Sequence, residues 1–139
     1  MAKITPQQAE QMLSDISPKK VFVLKKGGTI KSIGQLLEAL KNMDDETFNF
    51  HVNNQKNDFS NWIRDVIQDA DLAKSILKHN KKKDVQEIVD KRIKRLKWIE
   101  LNPLEDNALI TRSLIRGPLL ISSKYMHLRL YLSFLIIVA

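Results

Sequence analysis

Residues 21–32, VFVLKKGGTIKS, contain the strongest indication of β-structure in the chain and decide its fold class. The apolar run at 21–24 predicts a β-strand, because β-branched and aromatic residues favour strands. Gly27 and Gly28 predict a tight turn, since glycine tolerates a positive φ, and residues 29–31 predict a short returning strand. A lone two-stranded hairpin is only marginally stable, so we expect this hairpin to pack on helices.

Capping residues and apolar periodicity predict helices on both sides of the hairpin. A capping box over residues 5–8 begins the first helix, which we expect to end at the step before Pro18. Residues 81–83 are predicted as a solvated connector, and the last helix is expected to end before Pro103. The other predicted N-caps are Ser32, Asp44 or Asp45, Asn57 or Asp58, Asp69 and Asp84.

The predicted fold class is α-rich α+β, a small bundle of five or six short helices with one β-hairpin at its side. Apolar residues that repeat at helical spacing, together with those of the hairpin, form the predicted core. Its members are Phe22, Leu24, Ile33, Leu36, Leu37, Leu40, Phe48, Phe59, Trp62, Ile63, Val66, Leu72, Ile76, Ile88 and Val89.

Composition divides the chain into three parts. We predict an N-terminal helix or arm at residues 1–19, a helical core domain at 20–101, and an apolar, basic C-terminal tail at 102–139. The final apolar stretch, 130–139, is shorter than the roughly 20 residues that a membrane-spanning helix needs. Three interpretations of the tail stay open: a native packed extension, a membrane-associating segment, or a frameshift product.

The chain of 139 residues has no cysteine, which excludes disulfides, thiolate chemistry, zinc fingers and iron–sulfur ligation. Its first seven residues lack the apolar run of a signal peptide, and small secreted domains usually need disulfides, so we expect a cytoplasmic protein. The formal net charge of +7 permits a nucleic acid, an anionic membrane or an acidic protein as partner. It does not choose among them.

Several short blocks in the middle of the chain form a distinctive combination. The hairpin residues 22–32 are followed by HVN at 51–53, by KNDFSNWIRDV at 56–66 and by LA at 72–73. Over about residues 20–97, this combination resembles a family of uncharacterised archaeal and bacterial domains of unknown function. The resemblance implies a compact module, sometimes attached to other domains, and it implies no activity or cofactor.

A polar and aromatic cluster is the one candidate for a ligand-binding or enzymatic site. Its members are His51, Asn57, Asp58, Trp62 and Arg64. Histidine titrates near neutral pH and a carboxylate can orient its ring, so one hypothesis makes His51 an acid or base held by Asp58. The alternative, which we favour, is structural: Asn57 or Asp58 caps a helix that contains a buried Trp62.

The sequence predicts no metal site and no cofactor. His51, His79 and His127 share no metal-ligand spacing. Gly27 and Gly28 lack the spacing of a phosphate-binding loop, and no serine lies in a nucleophile elbow. Catalysis is therefore the less favoured alternative.

Basic residues crowd the region from 78 to 97. The candidate basic surface consists of Lys81, Lys82, Lys83, Lys91, Lys94 and Arg95. Such a surface can bind phosphates with release of counterions. Acidic residues are interspersed, however, and aromatic residues make up only 6% of the chain, so a solvated helix face is the simpler interpretation.

By elimination, the leading hypothesis is a non-catalytic interaction or regulatory module with a protein partner. The first alternative is a nucleic-acid accessory protein that uses residues 78–97. The second is a ligand-binding or enzymatic site around His51 and Asp58. Membrane contact through the tail is the least favoured form of binding, and no oligomeric state is predicted.

Overall fold

Helices account for most of residues 3–103, the part of the chain described by a computed structural model. The six α-helices of this part are α1 (Pro6–Leu13), α2 (Ile33–Asn42), α3 (Asp45–His51), α4 (Asp58–Trp62), α5 (Ala70–Leu77) and α6 (Lys82–Leu101). A 3₁₀ turn at Pro18–Lys20 precedes strands β1 (Phe22–Val23) and β2 (Thr29–Ile30), and a π-helical turn at Ile63–Ile67 continues α4. The predicted α-rich α+β bundle with one hairpin is confirmed.

Strands β1 and β2 form the predicted antiparallel hairpin, with Phe22 opposite Ile30. The Leu24 N–H donates to the Gly28 carbonyl at 3.0 Å and closes the turn. Gly27 and Gly28 have φ angles of 93° and 95°, a region in which a side chain is strained. The turn therefore depends on the two glycines from which it was predicted.

Side-chain caps begin most of the helices, as the sequence predicted. In each case a side-chain oxygen accepts a hydrogen bond from the backbone N–H three residues further on, and the caps are Thr5, Ser32, Asp44, Asn57 and Asp69. These bonds satisfy donors that the first turn of a helix leaves unpaired. Where the sequence offered two candidates, the structure selects Asp44 over Asp45 and Asn57 over Asp58.

The first helix is shorter than predicted. It ends at Leu13, well before the proline step, because Ser14 is extended and its hydroxyl donates to the Gln11 carbonyl at 2.7 Å. Ile16 therefore lies beyond the helix. Its backbone N–H donates to the Lys31 carbonyl at 2.8 Å and ties this segment to the end of β2.

The last helix begins earlier than predicted. Lys81 is its N-cap, and Asp84 lies in the first turn without capping it. The Lys82 ammonium donates to the Met43 carbonyl at 2.9 Å and pairs with Asp45 at 2.8 Å. These tertiary contacts hold the first turn in place, so the prediction of a solvated connector is wrong for two of its three residues.

Helix α6 supplies the largest apolar stripe of the core and packs against α1, α2 and α5. Its buried side chains recur at helical spacing, at Val85, Val89, Ile93, Leu96 and Ile99. Most of the predicted core is buried, including Phe48, Phe59 and Trp62. Four predicted members are only partly buried at its edge, namely Phe22, Leu24, Val66 and Ile88.

Helix α1 packs along α6 and buries Ala9 completely, and residues 3–103 belong to one compact unit. Nearly all of the predicted tail, from residue 104 onward, lies outside the described residues, as do the three interpretations of it. Within residues 3–103, no helix has the length and apolar character needed to cross a membrane.

One ion pair is buried between the helices. The Arg92 Nε and Nη2 atoms donate to the two carboxylate oxygens of Asp69, each at 2.7 Å, and the side chains are 9% and 1% exposed. Asp69 follows Gln68, which ends the π-helical turn with a φ of 65°. Because Asp69 also caps α5, this carboxylate joins α5 to α6.

Candidate functional site

His51 and Asp58, seven residues apart, are brought together by a tight turn. His51 ends α3 and Asp58 begins α4, and the His51 Nδ1 atom lies 3.1 Å from an Asp58 carboxylate oxygen. Val52 and Asn57 form an antiparallel bridge at the base of the turn. Within the turn, the Asn53 side-chain oxygen accepts hydrogen bonds from the backbone N–H groups of Gln55 and Lys56, at 2.9 and 3.2 Å. The contact between His51 and Asp58 that one of the two hypotheses requires is therefore present.

The second ring nitrogen of His51 has a partner that the sequence did not suggest. The backbone N–H of Lys25, at the hairpin turn, donates to His51 Nε2 at 3.1 Å. Nε2 therefore carries no proton, and Nδ1 donates its own proton to Asp58, which also accepts from the Lys56 ammonium at 2.7 Å. The ring is only 4% exposed. Both nitrogens are thus used to join the hairpin, α3 and α4.

We expect His51 to hold its proton on Nδ1, because a donor occupies Nε2. A long-range ¹H–¹⁵N correlation spectrum near neutral pH checks this, since protonated and bare ring nitrogens have different shifts. Asp58→Asn should keep the tautomer, as an amide oxygen can accept from Nδ1. A His51 proton on Nε2 would contradict the Lys25 hydrogen bond.

The other members of the predicted cluster have structural partners. The Asn57 side chain caps α4 through the Ser60 N–H at 2.9 Å and donates to the Ile76 carbonyl at 3.2 Å. The Trp62 indole donates to the Lys20 carbonyl at 3.0 Å. Every buried side-chain nitrogen and oxygen in residues 3–103 has a hydrogen-bond partner. These contacts support the structural interpretation of the cluster.

Arg64 is not brought to His51. It lies in the π-helical turn, where its guanidinium bonds the neighbouring Asp65 through two contacts of 2.7 and 2.9 Å. The hydrogen bond with Asp65 raises the pKa of Arg64, and the same bond lowers the pKa of Asp65. Both side chains are more than half exposed, so this pair is a surface feature separate from the His51 network.

Charged side chains also clamp the hairpin to α3. The Lys26 ammonium bonds Asp44 and Glu46, and Lys25 bonds Glu46 at 3.0 Å. The hydrogen bond from Lys26 holds the pKa of the Asp44 carboxyl well below its usual range and lowers that of Glu46. Above the clamp, the Lys25 and Lys56 ammonium groups lie 4.9 and 4.6 Å from the centre of the Phe50 ring. The lysines of this region are therefore already paired within the fold.

Basic charge is concentrated elsewhere. Residues 74–97 contain ten Lys and Arg against three Asp and Glu, a net of +7 that equals the charge of the whole chain. Two members of the predicted basic surface are paired: Lys82 with Asp45, and Lys94 with Asp90 at 2.6 Å. The other four have no ion-pair partner in residues 3–103, and they are Lys81, Lys83, Lys91 and Arg95.

An exposed aromatic side chain lies among these charges. Trp98 is 51% exposed and Leu101 is 57% exposed. Residues three and four apart share a helix face, so we define the outer face of α6 as Lys91, Lys94, Arg95, Trp98 and Leu101. Extending the buried stripe by three residues from Leu96 selects Ile99 and would have placed Trp98 outward.

A shallow cleft lies beside the His51 network. It has a volume of about 290 Å³ and is formed by residues 52–57 on one side and 77–80 on the other. We call it the amide cleft, because Asn53, Asn54, Gln55 and Asn80 line it. Their amide groups come from two segments that are separate in the chain, so no sequence pattern identified them.

No group of three or more His, Asp or Glu side chains within residues 3–103 could hold a metal ion. Comparisons of the chain with protein-family models, curated proteins and solved structures give no match. The resemblance over about residues 20–97 therefore stays a prediction.

Proposed function

We propose that this chain is a non-catalytic interaction module that binds an acidic partner protein through the outer face of α6. The observation that carries the proposal is the half-exposed Trp98 beside basic side chains that lack partners within residues 3–103. Tryptophan and arginine are enriched among the residues that dominate binding energy at protein interfaces. A partner with acidic groups around an apolar patch would complement both features.

Two further observations favour binding over catalysis. His51 is buried and uses both ring nitrogens within the fold, so it has no free atom for proton transfer to a substrate. Lys25, Lys26 and Lys56, near the hairpin turn, pair with acids, whereas Lys91 and Arg95 have no ion-pair partner in residues 3–103. We also propose a cytoplasmic location, because a small domain without cysteine is typical of reducing compartments.

A charge-reversal experiment tests the proposed face. The probe is a synthetic amphipathic helix with glutamates around a leucine stripe, and binding is followed by fluorescence of Trp98, since Trp62 is buried. The double variant Lys91→Glu, Arg95→Glu should weaken binding at least about tenfold, and so should Trp98→Ala, which removes the apolar centre. For the latter, a label on the peptide replaces the tryptophan signal.

The matched control is Lys19→Glu, Lys20→Glu, which changes net charge equally at another exposed site. It should leave peptide affinity nearly unchanged. If the control weakens binding as much as the α6 variant, binding follows overall charge and the proposed face is wrong.

A nucleic-acid accessory function is the second candidate, favoured by the net charge of +7 in residues 74–97. A 12-base-pair DNA duplex distinguishes it. Binding through phosphates would weaken steeply with salt, with a log–log slope of about −0.9 per phosphate contacted. Tighter binding of the duplex than of the peptide, insensitive to Trp98→Ala, would favour this candidate over the protein partner.

A further inference from the structure

The amide cleft is a concave site that the proposed function does not use. Its volume of about 290 Å³ lies at the lower edge of the range of roughly 300–1,000 Å³ that is usual for small-molecule pockets. The size therefore suits a small ligand with few atoms rather than a peptide. No part of the outer face of α6 lines it.

Both walls of the cleft are held rigidly. The first wall is the turn at 52–57, closed by the Val52–Asn57 bridge and by the hydrogen bonds to the Asn53 side chain. The second wall is the end of α5, which the buried Asn57 side chain ties to the turn through the Ile76 carbonyl. A site that is already rigid costs less ordering entropy when it binds.

The lining is polar, and Lys78 is its unpaired positive charge. Lys56, Lys78 and His79 line the cleft, and no Asp or Glu does. Lys56 pairs with Asp58, and the His79 Nδ1 atom lies 3.6 Å from an Asp84 carboxylate oxygen, whereas Lys78 has no ion-pair partner in the described part of the chain. The cleft also borders the segment of highest positive charge, and such a field attracts anions. An oxyanion is therefore the charged group that these walls favour.

Charge alone does not explain the rest of the lining. The side chains of Asn54, Gln55 and Asn80 are exposed, and their amides make no hydrogen bond to another described residue; each amide offers both donors and an acceptor. The end of α5 also presents carbonyl oxygens, which repel an anion and accept hydroxyl donors. A matching ligand therefore carries hydroxyl groups as well as negative charge.

We propose that the amide cleft binds a small phosphorylated polyol, such as a sugar phosphate. The phosphate accepts hydrogen bonds from Lys78 and from amide NH₂ groups, because a phosphate dianion offers several strong acceptors to one lysine and its neighbours. The hydroxyl groups donate to the amide oxygens and to the carbonyls at the end of α5. Asn57 positions the two walls and stays bound within the fold.

An NMR titration of the full chain tests this proposal with glucose 6-phosphate, inorganic phosphate and glucose. Glucose 6-phosphate should shift the backbone amide resonances of residues 53–57 and 77–80, with a dissociation constant of about 1 mM. Inorganic phosphate and glucose should each bind at least about tenfold more weakly, since each satisfies only one half of the site. Equal shifts with inorganic phosphate, or shifts spread along residues 81–97, would overturn the proposal.

Two variants and one control locate the site. Lys78→Gln and Asn80→Ala should each weaken glucose 6-phosphate binding about tenfold while the spectrum keeps its native dispersion. Lys74→Gln, one turn earlier on α5, is the control, because Lys74 is exposed and does not line the cleft. An equal loss of affinity in Lys74→Gln, or no loss in both cleft variants, would overturn the assignment.

Discussion

Replacing Asp69 by Ala should destabilise the fold by about 3–5 kcal/mol, because the change leaves the buried Arg92 guanidinium without its counter-charge. Both carboxylate oxygens accept from Arg92 at 2.7 Å, and one of them also caps α5 through the Leu72 N–H at 3.0 Å. A loss of this size is a large part of the stability of a small domain. Urea denaturation followed by circular dichroism measures it.

A double-mutant cycle separates the ion pair from the cap. Arg92→Met should also be strongly destabilising, whereas Asp69→Ala with Arg92→Met should recover part of the loss, since no unpaired charge then stays buried. The exposed Arg64–Asp65 pair provides the control, and Asp65→Ala should leave the denaturation midpoint unchanged. An Asp69→Ala loss of less than about 1 kcal/mol, the range of surface ion pairs, would show that Arg92 is solvated.

Replacing Phe59 by Ala should cost a similar amount, about 3–5 kcal/mol, through the cavity that it leaves. Phe59 is fully buried. Its ring centre lies 4.9 Å from that of Phe22, 5.4 Å from that of His51 and 6.3 Å from that of Phe48. The same side chain thus supports the hairpin, α3 and the His51 network. The measurement is again the free energy of unfolding in urea.

Phe50→Ala is the matched control, because it removes the same ring from a position that is 46% exposed. Its packing with Lys25 and Lys56 is worth about 1 kcal/mol at most for exposed cation–π contacts. Phe59→Ala should therefore be several times more destabilising than Phe50→Ala. Similar losses in the two variants would contradict the placement of Phe59 at the centre of the aromatic cluster.

Local features of this fold were predictable from the sequence. The glycines of the hairpin turn and the caps at Ser32 and Asp69 act on residues at most four positions away, so spacing alone identifies them. The pairing of His51 with Asp58 was one of two hypotheses from the sequence and not the favoured one; it rested on the ability of a carboxylate to orient a histidine ring. The second partner of the His51 ring, the Lys25 backbone N–H, was not predicted. Every residue except proline has a backbone N–H, so the sequence does not show which one is used.

Several of the errors share a physical cause, which is contact between residues far apart in the chain. Arg92 falls on the buried stripe of α6, but an arginine is seldom buried without a partner, and only Asp69, 23 residues away, makes its inward position favourable. Lys82 likewise joins the helix early because Met43 and Asp45 hold it. The amide cleft could not be predicted either, since its two walls meet only in the folded chain.

Charge is distributed unevenly between two segments of the described residues. Residues 3–73 carry nine basic and ten acidic side chains, whereas residues 74–97 carry ten basic and three acidic ones. Near a polyanion, the positive charge of residues 74–97 should orient the protein so that this segment faces the polyanion before contact. On a negatively charged chromatography matrix, the molecules should therefore adsorb in one orientation, and their retention should follow the charge of this segment rather than the isoelectric point.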